Sequence, residues 1–220
     1  MRASGSVGMR VATSLPVTAL WLLFAVANFE SWRKTHLPIG LGATALELTA
    51  AVLFVVRRQP LSLSRSPLAW TAAAVGTFGM LGARPHYAPV ASLEPLYAAA
   101  QVTGAGVAIW AVVSLGRSFG LVAANRGVAT HGPYRFVRHP LYAGYFLTQT
   151  GYLLENPSVR NAALYLLVTG VQGVRIVVEE RWLMLDPLYR AYALEVPGRV
   201  LPLVVGRGRG VNSRSGHASG

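Results

Sequence analysis

What most constrains this chain is the length of its apolar blocks. The hydrocarbon core of a bilayer is crossed by about 20 apolar residues in a helix, with a usual range of roughly 17–25. Six blocks meet or approach that length, at about 13–30, 38–56, 67–82, 94–115, 140–155 and 161–183. The third and fifth are short. Asn156-Pro157-Ser158 is a tight turn signal and joins the last two blocks as a helical hairpin. Composition agrees: charged residues make up 13% of the chain, against roughly 25% in an ordinary globular domain. The expected fold class is all-α, a polytopic transmembrane bundle of about six helices with a C-terminal helical hairpin.

The formal net charge is +12, from 20 Lys+Arg against 8 Asp+Glu, and Lys34 is the single lysine. So basic a chain suggests nucleic acid, but these residues sit in the loops between apolar blocks, which is the usual pattern of membrane topology. With the N-terminus inside, sixteen of the basic residues fall on inside segments; Arg33, Lys34, Arg84 and Arg160 fall outside. The bias leads us to expect both termini in the cytoplasm; the expected location is a plasma (inner) membrane. Arg2 and Arg10 precede the first block, and Ala25-Val26-Ala27 resembles a leader cleavage site. A retained first helix is the expected reading, because further spans follow. The chain has no cysteine, which excludes disulfides, thiolate zinc sites and a cysteine nucleophile. No His/Asp/Glu cluster has metal-ligand spacing, so neither a metal nor nucleic acid is expected as a partner. Residues 206–220 are rich in Gly, Ser and Arg and read as a disordered basic tail.

The chemistry concentrates in the long inside loop. It contains Gly116-Arg117-Ser118-Phe119-Gly120, then Asn125-Arg126-Gly127, then the run from His131 to Gly144. Pro140 suits the first turn of the fifth helix. Arg138 and His139 then sit at a helix N-terminus, where free N–H groups and the dipole favour an anion such as a carboxylate or phosphate. A plain cytoplasmic loop with topology-setting arginines is the competing reading. On the sixth helix Gln172, Arg175 and Glu179 share one face, and Arg175 and Glu179 are spaced for an internal ion pair. Glu180 lies about 100° further round, so the two carboxylates need not share a role. On the fifth helix Tyr145, Gln149 and Tyr152 form a polar-aromatic face suited to a pocket. Gly144, Thr148 and Gly151 form a small-residue face suited to packing, as does Gly104-x-Gly106 on the fourth. Glu47 is a lone acid within the second block, either a substrate contact or an interior structural acid.

The run Gly132-Pro133-Tyr134-x-x-x-Arg138-His139-Pro140-x-Tyr142-x-Gly144 resembles the isoprenylcysteine carboxyl methyltransferase and phospholipid methyltransferase superfamily of integral membrane methyltransferases. The runs Glu179-Glu180-Arg181-x-Leu183, Tyr189-x-x-Tyr192-x-x-x-Val196-Pro197 and Arg199-x-x-Pro202 are similar to its C-terminal signature, with Gly198 standing between Pro197 and Arg199. The resemblance covers about 116–203. It implies S-adenosylmethionine as methyl donor, bound at the cytoplasmic face by His131, Gly132, Tyr134, Arg138, His139, Pro140, Tyr142, Gly144, Glu179 and Glu180. Arg138, Glu180 and Arg199 are the expected catalytic residues. The arginine and histidine would hold the cofactor's carboxylate, and the glutamates its hydroxyls or amino group. Residues 1–115 then form about four N-terminal helices, and 116–203 a catalytic core of loop, hairpin and C-terminal segment.

The expected function is therefore methyl transfer to a lipophilic or small membrane-accessible acceptor, a carboxylate, thiol or amine. Two rivals remain. Membrane sterol reductases carry a similar Arg-His-Pro-x-Tyr-x-Gly run and use NADPH, although the paired glutamates and the Gly-Pro-Tyr fit methyltransferases better. A non-catalytic lipid-binding membrane protein is the other.

Overall fold

The computed structural model describes residues 7–57, 62–63, 67–84, 91–120, 124–125 and 128–202. The expected basic tail at 206–220 lies outside them. Seven α-helices are present among the described residues: α1 (Val7–Thr35), α2 (Pro38–Val56), α3 (Pro67–Phe78), α4 (Glu94–Leu115), α5 (Pro140–Glu155), α6 (Val159–Leu183) and α7 (Pro187–Glu195). A two-residue antiparallel ribbon pairs β1 (Ser62–Leu63) with β2 (Ala124–Asn125). The all-α bundle and the hairpin of α5 and α6 are as expected.

Four helices are long and apolar enough to cross a membrane: Leu15–Thr35, Ile39–Val56, Glu94–Ser118 and Val159–Leu183. The other two expected spans are shorter. At 1.5 Å per residue α5 rises about 24 Å and α3 about 18 Å, less than the roughly 30 Å of a hydrocarbon core. The 3₁₀ turn Gly79–Gly82 extends α3 by a further ~8 Å.

Helix boundaries follow local chemistry. Pro38, Pro95, Pro140 and Pro187 stand in the first turns of α2, α4, α5 and α7, where a missing N–H costs nothing. Ser158 caps α6 by accepting from the Asn161 N–H at 3.1 Å, and Asp186 caps α7 by accepting from the Leu188 N–H at 2.8 Å.

The long α4–α5 contact rests on small residues. A Cβ on Gly144 would meet the Ala108 nitrogen and the Gly104 oxygen, both at 2.7 Å, so only glycine lets these backbones approach. Gly151 lies equally tight against Tyr97 and Gln101. Gly106, in contrast, faces open space and takes no part in packing. On the other side α6 reaches α3 with polar groups: Gln172 Nε2 donates to the Gly76 carbonyl at 3.0 Å, and Arg175 donates to Thr77 Oγ1 at 3.0 Å.

Arg57 and Arg117, at the ends of α2 and α4, lie at one end of the bundle. Arg117 Nε donates to the Val56 carbonyl at 3.1 Å, which ties the end of α4 to the end of α2. The β1–β2 ribbon and the start of α5 belong to the same end. At the opposite end Asn161 donates to the Arg84 carbonyl at 2.8 Å, Arg160 to that of Gly82 at 3.0 Å, and Gln101 to the Glu155 carboxylate at 2.9 Å.

Candidate active site

The site forms where the 128–139 segment, the end of α6 and the segment after α7 meet. Gly132 begins a 3₁₀ turn, Gly132–Arg135, at φ +60°, a left-handed value that glycine adopts without strain. The turn buries Pro133 and Tyr134 and delivers Arg138 and His139 to the first turn of α5.

There Glu180 is bound on both oxygens. Arg138 Nε donates to Oε1 at 2.7 Å, a His139 ring nitrogen lies 3.3 Å from the same oxygen, and Arg199 Nε donates to Oε2 at 2.6 Å. The Arg138 and Glu180 side chains are 8% and 5% exposed, so this pair is desolvated, whereas Arg199 is 57% exposed. Burying such charges is tolerable only with near-complete hydrogen bonding. Arg138 meets that condition through Nη1, which donates to the carbonyls of Val196 at 2.8 Å and Pro197 at 3.0 Å. Nη2 takes no part in these bonds. The backbone closes the clasp: Arg138 N–H donates to Gly198 O at 2.9 Å, and His139 N–H to Arg199 O at 2.7 Å. The extra Gly198 therefore does not displace Arg199 from Glu180.

Glu179 points elsewhere, as the helical offset requires. It accepts from the Tyr142 hydroxyl at 2.7 Å and pairs with Arg175 at 3.5 Å. The Arg175 guanidinium also lies over the Tyr142 ring, 5.4 Å from its centroid. The ion pair expected within α6 is present, joined to α5 by the tyrosine.

A cavity of about 140 Å³ lies beside these groups. Of the expected site residues, Tyr134, Arg138, His139, Tyr142 and Glu179 line it. Glu180 and Arg199 stand behind the wall and hold Arg138 and His139 in place. Pro140 is buried in the first turn of α5. His131 is exposed and its carbonyl accepts from the Tyr134 N–H. Gly132 packs against Ser114 and Trp110 of α4, and Gly144 lies in the α4–α5 contact. Tyr145, Arg175 and Tyr189 also line the cavity, as do Trp21, Thr77 and Phe119. Phe119 belongs to the Gly116–Gly120 run of the long loop, whereas Trp21 and Thr77 carry no motif signal. Trp21 and Thr77 arrive from α1 and α3 only because the bundle folds them there.

The tyrosines near the loop stay neutral. Burial pushes the Tyr134 phenol well above its usual value, with smaller contributions from Tyr192 and Glu179. Burial likewise raises Tyr189, and takes Tyr192 up to about 12 against an opposing pull from Arg138. Tyr192 donates to the Tyr134 carbonyl at 2.7 Å, which pins the 3₁₀ turn to α7. The Tyr189 hydroxyl and the Trp21 indole N–H have no partner, although both residues are buried and line the cavity. Among the described residues no group of three or more His, Asp or Glu side chains could hold a metal.

Apolar helices of spanning length, with a cavity lined by ionic groups at one end, mark an integral membrane protein. Residues 97–185 match the model of the isoprenylcysteine carboxyl methyltransferase (ICMT) family, which bears out the resemblance read from the loop and α6 runs. The match begins in α4 and ends just beyond α6. The Tyr189-to-Arg199 segment that completes the clasp lies outside it. No curated protein matches the chain significantly.

Proposed function

We propose that this protein is a membrane methyltransferase that uses S-adenosylmethionine to methylate a lipophilic, membrane-accessible acceptor carrying a carboxylate, thiol or amine. The observation that carries the reading is the cavity wall, which combines Arg138 and His139 with the Glu179 carboxylate and an aromatic lining. Such a wall suits a ligand with a carboxylate, an amino group, an aromatic base and a cationic sulfur. Arg138 and His139 would bind the carboxylate through charge-assisted hydrogen bonds. Glu179 would accept from the amino group or hydroxyls, and Tyr134, Tyr142 and Tyr189 would face the base or the sulfonium. Tyr189 supports the fit independently, because its buried hydroxyl awaits a partner.

The cofactor supplies an activated methyl group, and the protein's own contribution is positioning and exclusion of water. Glu180 and Arg199 act as positioning residues, because they hold Arg138 and His139 without facing the cavity. Its present volume is below the ~300 Å³ at which ligand pockets usually begin, so a bound nucleoside must widen it. The basic residues at the site end support a cytoplasmic site in a plasma (inner) membrane, with both termini on that side. The division into N-terminal helices, 1–115, and a catalytic core, 116–203, belongs to the same reading, amended by Trp21 and Thr77.

The test is calorimetry on the detergent-purified protein with S-adenosylmethionine and, separately, NADPH. Binding of the methyl donor, weakened by His139→Ala and Glu180→Ala, is expected. Binding of NADPH alone would replace the reading with a reductase, and binding of neither would favour a non-catalytic protein.

A further inference from the structure

Trp21 on α1 and Tyr145 on α5 are among the residues that line the cavity. Four buried polar atoms on α1, α2 and α5 have no hydrogen-bond partner: Thr18 Oγ1 and Trp21 Nε1, Glu47 Oε2 and Gln149 Oε1. Thr18 and Trp21 are three residues apart on one face of α1, and Tyr145 and Gln149 four apart on one face of α5. Glu47 precedes Ala50, Ala51 and Phe54 on α2, which cluster with Trp21. It also lies within electrostatic range of the Tyr145 hydroxyl. Depth agrees, since Glu47 and Gln149 each lie about 14 Å from the site-side end of their helix at 1.5 Å per residue. Buried polar atoms without partners are few in native proteins, and each asks what completes it. Four on helix faces that carry or approach the cavity-lining Trp21 and Tyr145 point to a ligand.

We propose that the part of the cavity lined by Trp21 and Tyr145 is the acceptor subsite, and that it takes a lipophilic amine whose nitrogen is held, and relieved of its proton, by the Glu47 carboxylate. The proposal rests on the methyltransferase reading and narrows its acceptor to one class. Three of the unpartnered atoms, on Thr18, Glu47 and Gln149, can accept hydrogen bonds, and an ammonium group offers three donors. The rings of Trp21, Tyr142 and Tyr145, which line the cavity, favour a cation beside them. A carboxylate acceptor meets the opposite conditions. It would place a second negative charge beside Glu47 and find one unpartnered obligate donor, the Trp21 N–H. The nearby cation, Arg175, is engaged by Thr77 and Glu179. In the reaction the nitrogen lone pair forms the new N–C bond, the electrons of the broken C–S bond stay on sulfur, and the proton lost from nitrogen rests on Glu47.

The experiment is binding of octylamine and of octanoate to the full purified chain, without methyl donor, by calorimetry and thermal shift. Octylamine is expected to bind and raise Tm, and octanoate to do neither. Glu47→Gln should weaken octylamine about tenfold or more, the size of one charge-assisted hydrogen bond. Glu47→Asp should recover part of that loss, and S-adenosylmethionine should bind both variants as it binds the unaltered protein. Octanoate binding as tightly as octylamine, or octylamine affinity indifferent to Glu47→Gln, would overturn the proposal. The amine-against-acid comparison needs no variant, so it decides the matter even if the substitutions impair folding. S-adenosylmethionine failing to bind the unaltered protein is a separate result and overturns the methyltransferase reading instead.

Discussion

Glu180 and Glu47 are carboxylates in one helical bundle, and their surroundings are built oppositely. At the loop end, Glu180 has Arg138, His139 and Arg199 on its two oxygens, and the backbone of 196–199 completes the enclosure. In the middle of the bundle, Glu47 keeps a buried oxygen with no partner. The first carboxylate is satisfied without a ligand, so its charge serves architecture as much as chemistry. The second is incomplete without one. The general lesson is that an ionisable group inside a protein is judged by what is left over after its internal bonds are counted.

Substitutions test that contrast directly. The largest effect is expected from Glu180→Ala, which strands a buried arginine beside a histidine. Loss of about 3–5 kcal/mol is typical for breaking such a pair. Thermal or denaturant unfolding in detergent would register it, and a melting curve unchanged from the parent would show that the loop end does not depend on this carboxylate. Gly144→Val should follow at about 1–3 kcal/mol, because a side chain there meets the α4 backbone. Preserved stability would mean that α4 and α5 separate more easily than their contact implies.

Tyr192→Phe removes the donor from the Tyr134 carbonyl and should cost about 1–3 kcal/mol for a buried group left unsatisfied. The same residue gives the loop end an alkaline limit. Its folded value is about 12, against 10.0 for an ordinary tyrosine phenol, so the unfolded chain releases the proton first as pH rises. The contribution is therefore full below pH 10.0 and is lost as pH climbs toward about 12. Phenolate absorbance followed through an alkaline unfolding titration would detect it, and Tyr192→Phe should flatten that slope. The smallest effect belongs to Glu47→Gln, which breaks no internal bond and should leave stability within about 0.5 kcal/mol. A large loss of stability there would erase the contrast with Glu180.

Much of this architecture is legible in the sequence, for a physical reason: a bilayer demands long apolar blocks, and six of the seven helices are such blocks or close to it. α7 is the exception. Its nine residues, Pro187–Glu195, are too polar and too short to form a block, although Tyr189 and Tyr192 at i, i+3 mark its buried face. α1 runs beyond its apolar stretch in both directions, because helix continues through Ser31–Thr35 without needing burial. At the candidate site, Arg138, His139 and the two glutamates form a pattern readable along the chain. The divergent orientation of Glu179 and Glu180 follows from helix geometry alone. Trp21 and Thr77 were not readable, since nothing local distinguishes them from other residues of apolar helices. Their place depends on which helices become neighbours, and apolar periodicity inside a membrane does not encode that.

The clasp between residues 138–139 and 198–199 joins segments separated by α5, α6 and α7. During biosynthesis the helices can enter the bilayer one after another, while Arg138 waits without its carbonyl partners until residue 199 has left the ribosome. A chain halted at residue 195 would thus carry all seven described α-helices and still lack a closed loop end. Assembly of the site is consequently later than the entry of α5 and α6, timed by the emergence of residues 196–199 rather than by insertion.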